Sequence, residues 1–302
     1  MRLYRKFMKL LHLGRYMESI RQDIIYQNRR NRLTDLALHS TQIGISSERY
    51  CKEEIIVSLT TYGKRLYDVY LTIESIMQQS MKANRIVLWL GEDLRNKPLP
   101  RILLLQQQRG LEISFCKDIR SYTKLVPALC KFPDDIIITV DDDAVYEFDL
   151  LEKLIIAYQE DPSFIYCHRC HRMIVEDDGK LKPYNDWIWT TEDLMHNALY
   201  FPTGVGGILY PPHSLDEEVL NEDVFLRICP QADDVWFKAM ALKKGTLSRK
   251  VQSRNINGED YIVNEGVQDV GLCRSNVLGE ALNDKQIKAV FERYDLYQYL
   301  II

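Results

Sequence analysis

Between residues 54 and 158 the chain alternates short, strongly apolar runs with segments of helical periodicity. This alternation restricts the fold more than any other feature of the sequence. Residues 54–60 (EIIVSLT), 85–90 (RIVLWL), 111–116 (LEISFC) and 136–140 (IIITV) are predicted strands, and 66–79, 99–108, 122–131 and 150–158 are predicted helices. Strands this apolar need cover on both faces, and a strand–helix–strand repeat runs parallel. The expectation is therefore α/β: a Rossmann-like, mainly parallel sheet flanked by helices. After about residue 160 the pattern loosens. A strand at 164–168 precedes a polar stretch with Trp187 and Trp189, then the glycine-rich TGVGGILY (203–210), helices near 216–227 and 234–243, and a last helix at 282–297. Upstream, 1–38 reads as helix with partial apolar periodicity, and 39–53 as a polar joint. This gives a basic helical extension over 1–40 and one main domain over 54–302.

The net charge of −4 conceals a strong asymmetry. Residues 1–34 hold nine Arg or Lys against Glu18 and Asp23, a surplus of +7, which leaves −11 on the other 268 residues. An acidic body argues against nucleic acid as a partner, whose footprint would be a basic surface. The basic head points instead to an anionic surface such as a membrane, through residues 1–38. No apolar run approaches the ~20 residues that span a bilayer, and Lys9, His12, Gly14 and Arg15 interrupt any signal-peptide core. The expected location is cytoplasmic, with peripheral attachment to the inner face of the membrane. Seven scattered cysteines fit reduced thiols better than a disulfide framework.

The chemistry concentrates in a few places. Asp141-Asp142-Asp143 directly follows IIITV, at the carboxyl end of a predicted parallel strand, where open α/β sheets bind ligands. Strand alternation would put Asp141 and Asp143 on one side and Asp142 on the other. Two converging carboxylates suit Mg2+ or Mn2+ shared with a diphosphate. Ala232-Asp233-Asp234 opens a predicted helix, so one carboxylate is expected to cap it while the other is available as a general base. Thr203-Gly204-Val205-Gly206-Gly207 allows close backbone approach to a ligand but lacks the strand–GxGxxG–helix setting of a dinucleotide site. The loops Thr60-Thr61-Tyr62-Gly63-Lys64-Arg65 and Arg120-Ser121-Tyr122-Thr123-Lys124 bring cations to the same edge, with Tyr62 able to stack on a base. Cys167-His168-Arg169-Cys170-His171 matches the CxxCH haem-attachment spacing, but it lies in a predicted strand of a chain without an export signal, and no His follows His213 to complete a zinc site.

Taken together and in order, IIVSLTTYGKRL, ESIMQQ, RIVLWL, DIRSYTKLVPAL, FPDDIIITVDDD, FPTGVGGILYPP and CPQADDVWF resemble bacterial nucleotide-sugar glycosyltransferases of the GT-A fold, family-2-like, of the type that builds capsular and surface polysaccharides. The resemblance runs from about 54 to 234 and more weakly to the C-terminus. It implies a metal-assisted, inverting transfer from a nucleotide-diphosphate sugar, with uridine as the base, to a saccharide or lipid-linked acceptor. Asp143 and Asp141 would hold Mn2+ or Mg2+. Thr60, Thr61, Tyr62, Arg65, Lys124, Asp141, Asp142, Gly206 and Gly207 would bind the donor, and Asp234, paired with Asp233, would be the base. Two departures stand out: the second strand ends in LWLGED rather than an Asp-Gly-Ser type of ending, and no late His is present for the metal. The alternatives are a metal-dependent phosphotransferase or phosphohydrolase, and a non-catalytic sugar-nucleotide-binding relative.

Overall fold

The computed structural model describes residues 2–252, 261–263 and 282–300. Helix α1 (Arg2–His39) leads into β1 (Ile55–Thr60), α2 (Val69–Met77), β2 (Arg85–Gly91), α3 (Arg101–Gln107), β3 (Leu111–Cys116), α4 (Val126–Lys131) and β4 (Ile136–Thr139). There follow β5 (Ala144–Tyr146), α5 (Leu150–Glu160), β6 (Ile165–Cys167), β7 (Cys170–Arg172), β8 (His196–Asn197), β9 (Tyr200–Pro202) and β10 (Ile208–Tyr210). The last elements are α6 (Glu222–Ile228), α7 (Asp233–Lys244), β11 (Ser248–Lys250), β12 (Tyr261–Val263) and α8 (Leu282–Tyr294).

Eight strands form one sheet in the order β3-β2-β1-β4-β10-β6-β11-β8. β3, β2, β1 and β4 run parallel, whereas β10 is antiparallel to both β4 and β6, and β8 is antiparallel to β11. The sheet is α/β and mainly parallel in its first half, as the alternation predicts. Its second half is mixed: β11 runs parallel to β6, while β10 and β8, which join neighbours distant in the chain, run antiparallel to theirs.

Period-two alternation splits the core cleanly. Ile55, Val57 and Leu59 of β1, with Ile86, Leu88 and Leu90 of β2, pack on the face covered by α2, α3 and α5. Ile56, Val87 and Trp89 face the other way, toward α4, α6, α7 and α8. Helix α1 is not wholly an appendage. Leu33 and Ala37 are buried in the first of these layers, the Thr34 hydroxyl lies 3.0 Å from that of Tyr70, and Arg29 pairs with Glu147 at 2.5 Å. Earlier in α1, Tyr16, Met17, Ile20 and Ile24 are exposed. Among the described residues no helix is long and apolar enough to cross a membrane.

The six cysteines among the described residues are free thiols, and Cys273 lies outside those residues. Cys167 and Cys170 are buried, and the His168 ring nitrogen Nε2 lies 3.0 Å from the Leu150 carbonyl, so these members of CxxCH serve the core.

Candidate active site

The parallel strands all end at one edge, and the loops leaving them converge there. β4 stops at Thr139, one residue before the predicted end, so Asp142 and Asp143 occupy a turn leading into β5 rather than a strand. Strand alternation therefore does not set their directions; partners do. Asp142 is buried, accepting from the Thr61 hydroxyl at 2.6 Å and from Arg65 Nη1 at 2.8 Å. The other Arg65 terminal nitrogen lies 3.0 Å from Asp143 Oδ2. Thr72 of α2 fastens the turn from behind, its hydroxyl 3.1 Å from the Asp142 carbonyl and 2.7 Å from that of Ala144. Asp142, expected among donor-binding residues, instead has its carboxylate committed to positioning Thr61 and Arg65. Burial, outweighing Arg65 and Thr61, pushes its pKa up to about 6.

Asp141 turns the other way, and Lys124 is its partner. The ammonium, in a side chain only 8% exposed, lies 2.8 Å from Asp141 Oδ1 and 3.0 Å from Asp233 Oδ2. Lys124 ends a single 3-10 turn over Arg120–Lys124 that follows β3. Its carbonyl accepts from Ser58 Oγ at 2.5 Å, and Ser58 in turn accepts from the Trp89 indole at 2.9 Å. The site lysine is thus tied to two central strands. Burial opposes its charge, yet Asp141, Asp233 and Asp234 outweigh burial and hold its pKa well above the usual lysine value.

At the start of α7 the N-cap is Ala232 and no side chain caps the helix, so the expected capping role falls to neither aspartate. Asp233 is drawn to Lys124. Asp234 accepts the Gly204 N–H, 3.2 Å from each of its oxygens. Desolvation first, then the neighbouring Asp233 and Asp141, raise the Asp234 carboxyl to about 7, with Lys124 and the Gly204 N–H opposing.

Gly204 is the glycine that the site needs. A Cβ there would lie 2.5 Å from Lys124 Nζ, 3.2 Å from Asp141 Oδ1 and 3.3 Å from Asp234 Oδ1. The two glycines assigned from sequence face elsewhere: a Cβ at Gly206 would strike the backbone of Arg169, and one at Gly207 would meet Leu150. Tyr146, which sequence reasoning overlooked, couples the loops: its hydroxyl accepts the Asp141 N–H at 2.9 Å and donates to the Val205 carbonyl at 3.1 Å. Thr60 donates to the Trp89 carbonyl at 3.0 Å, and Tyr62 stands 53% exposed at the rim, accessible for stacking. Trp187 is buried and Trp189 is exposed, so the two tryptophans have different roles.

Among the described residues no three His, Cys, Asp or Glu side chains are grouped to enclose a cation. Asp141 and Asp143, expected on one side, instead answer to different cations, Lys124 and Arg65, so a Mg2+ or Mn2+ ion would draw on one or two of their oxygens and be completed by substrate phosphate and water.

No family model matches the chain, and no curated protein matches its sequence. Among solved structures, a mannosyltransferase from Pyrobaculum calidifontis in complex with GDP-Man and Mn2+ aligns at 12% identity over 93% of this chain and 76% of its own, with a TM-score of 0.49. A CMP:2-keto-3-deoxy-manno-octonic acid synthetase complexed with CTP aligns at 14% identity over 65% of this chain and 88% of its own, with a TM-score of 0.40. Neither assigns a role to any residue here.

Proposed function

We propose that this chain is a glycosyltransferase that moves a sugar from a nucleotide-diphosphate donor to a hydroxyl acceptor. The observation that carries the reading is the charged cluster packed against Gly204. There a carboxylate raised to about 7, Asp234, lies beside the Asp141–Lys124 pair, so close to the glycine that a single Cβ would collide with the Lys124 ammonium. A carboxylate with that pKa takes a proton efficiently near neutral pH. The Asp141–Asp143 turn and Arg65 lie at the same sheet edge, where a diphosphate would sit. Thr60, Thr61 and Tyr62 line the approach for the nucleoside, with a uridine as the favoured base on the sequence resemblance.

In this reading Asp143 and Asp141 would hold Mg2+ or Mn2+, which supplies Lewis-acid neutralisation of the leaving diphosphate. Lys124 stabilises charge on the same side. Asp234 accepts the acceptor's hydroxyl proton as the new glycosidic bond forms on the face opposite the leaving group, so the anomeric configuration inverts. Preorganised charge at this edge is worth most because the side chains that carry it are mostly buried.

The test is release of free nucleotide diphosphate from a panel of nucleotide sugars with Mn2+ or Mg2+, run beside calorimetric donor binding. The expected pattern is release from one donor class. Asp234→Asn should cost about 10²–10⁴-fold in rate with donor affinity nearly unchanged. Asp143→Ala should lose cation-dependent nucleotide binding itself. Full turnover in Asp234→Asn would place the base elsewhere.

A further inference from the structure

The turn between β6 and β7 carries hydrogen-bond donors that have no partner among the described residues. Arg169, half-buried at its apex, is locked to the glycine loop. Its Nη1 donates to Thr203 Oγ1 at 2.9 Å, its carbonyl accepts the Thr203 N–H at 3.1 Å, and Gly206 approaches so closely that a Cβ there would lie 2.7 Å from the Arg169 nitrogen. Yet the Arg169 Nε–H is buried without a hydrogen-bond partner, and among the described residues no carboxylate pairs with this guanidinium. Two residues on, His171 is 1% exposed. The Thr190 N–H donates to its Nδ1 at 3.1 Å, which leaves the ring proton on Nε2, and Nε2 is also buried, with no partner among the described residues. Burial, aided by the nearby Arg169 charge, pushes the His171 pKa down to about 3, so the ring is a neutral donor at any working pH.

An orphaned buried donor costs about 1–3 kcal/mol, and of these two side chains only Arg169 is partly exposed, so its guanidinium is the one open to an external acceptor. A guanidinium with no acid of its own complements a carboxylate or phosphate most strongly. Beside these donors stands an apolar platform. The Trp189 ring lies 4.8 Å from that of His171 and is 40% exposed, whereas Trp187 is buried against Tyr184 and Phe201. An exposed indole backed by packed aromatics offers a rigid face to a sugar ring. The turn adjoins Thr203, the residue before Gly204, whose N–H holds Asp234.

We infer that Arg169 and Trp189, with the buried His171 packed against the indole, form the subsite for the acceptor, and that the acceptor carries an anionic group, a carboxylate or a phosphate, on or next to a saccharide ring. This inference rests on the glycosyltransferase reading for the word acceptor. The anion preference rests on the half-buried Arg169 guanidinium alone, which no described carboxylate pairs.

The experiment measures binding to the full chain with no donor and no divalent cation present, by Trp fluorescence and calorimetry. The probes are a glucuronate-containing disaccharide, its uncharged glucose counterpart and glucose 1-phosphate. At least one anionic probe should bind about tenfold or more tighter than the neutral one. Preference for the uronate identifies a carboxylate, and preference for the sugar phosphate identifies a phosphate. Arg169→Gln should erase the difference between charged and neutral probes, and Trp189→Ala should weaken all saccharide probes alike. Equal binding of charged and neutral probes, or a preference that survives Arg169→Gln, overturns the inference. Should Arg169→Gln fail to fold, Arg169→Lys, which keeps the charge but not the Nε–H, is expected to weaken anion binding at least threefold, and unchanged binding there is equally fatal. Failure of nucleotide release with intact anion selectivity would sink the transferase reading and leave this site standing.

Discussion

Lys238 is a buried charge, and replacing it should stabilise the fold. It lies one helical turn beyond Asp234 on α7, is 3% exposed, and its Nζ has no hydrogen-bond partner among the described residues. Its surroundings are mostly apolar: Ile165, Pro202, Phe237 and Ala241 line a cavity of about 10 Å3 with it, together with Tyr210, Ser248 and the Asp234 carboxyl. Desolvation lowers its pKa from 10.5 to about 8, against a small opposing effect from Cys170 and Cys167. Each pKa unit corresponds to about 1.4 kcal/mol, so at pH 7 the buried ammonium costs about 3 kcal/mol relative to the unfolded chain.

The sign follows from proton counting. Between pH 8 and 10.5 the unfolded state holds the proton more tightly than the native state, so stability from this group rises with pH across that window. Lys238→Met removes the cost, and the methionine stem fills similar volume. The variant should gain up to about 3 kcal/mol in urea unfolding at pH 7, and the gain should shrink to roughly 1 kcal/mol at pH 9.5. Other titrating groups are common to both proteins and cancel in the difference. If Lys238→Met is less stable than the parent at pH 7, and the gap does not change with pH, the ammonium has a partner and the argument fails.

Three further outcomes follow from the same geometry. With Asp234 raised to about 7, the transfer rate should climb about tenfold per pH unit below 7 and level off above it; a profile flat from pH 5 to 8 would remove Asp234 as the base. Gly204→Ala drives a methyl to within 2.5 Å of Lys124 Nζ, so turnover should fall by about 10² through displacement of the site while thermal unfolding hardly moves; retained turnover would mean that Lys124 need not be where it is. Deleting residues 1–25 should abolish co-sedimentation with anionic vesicles if the basic head meets lipid, whereas a cut at 38 would also strip Leu33 and Ala37 from the core and confuse the result.

The sequence made the first four strands legible because β1, β2 and β4 are apolar almost throughout, and the edge strand β3 alternates Leu111, Ile113 and Phe115 with Glu112 and Ser114. It made the site's edge legible for the same reason: loops leaving parallel strands have one place to go. What it hid depends on partners distant in the chain. Asp233 and Asp234 have the composition of a helix cap, but Lys124 and the Gly204 N–H are their partners, and Ala232 takes the N-cap position instead. Gly204, Gly206 and Gly207 are indistinguishable as letters, and only the packing reveals that Gly204 faces carboxylates while Gly206 faces Arg169. Tyr146 carried no signal at all, being one more apolar residue of a three-residue strand until its hydroxyl is seen between two loops.

The site's charge balance bears on how a donor could enter. Asp141, Asp142, Asp143, Asp233 and Asp234 crowd one edge, and the buried cations facing them are Lys124 and Arg65. Three consecutive aspartates survive there because each answers to a different arrangement: Asp141 to Lys124, Asp142 to Thr61 and Arg65 together, and Asp143 to the far side of Arg65. The remaining surplus appears as raised pKa values at Asp142 and Asp234, where burial and like charge favour the proton. A nucleotide diphosphate alone would deepen that surplus. Its binding should therefore be weak without a divalent cation and should strengthen when one is supplied, with the gain lost in Asp143→Ala. Calorimetry of nucleotide diphosphate with and without Mg2+ decides this, and equal affinity in both would mean that Lys124 and Arg65 suffice as counter-charge.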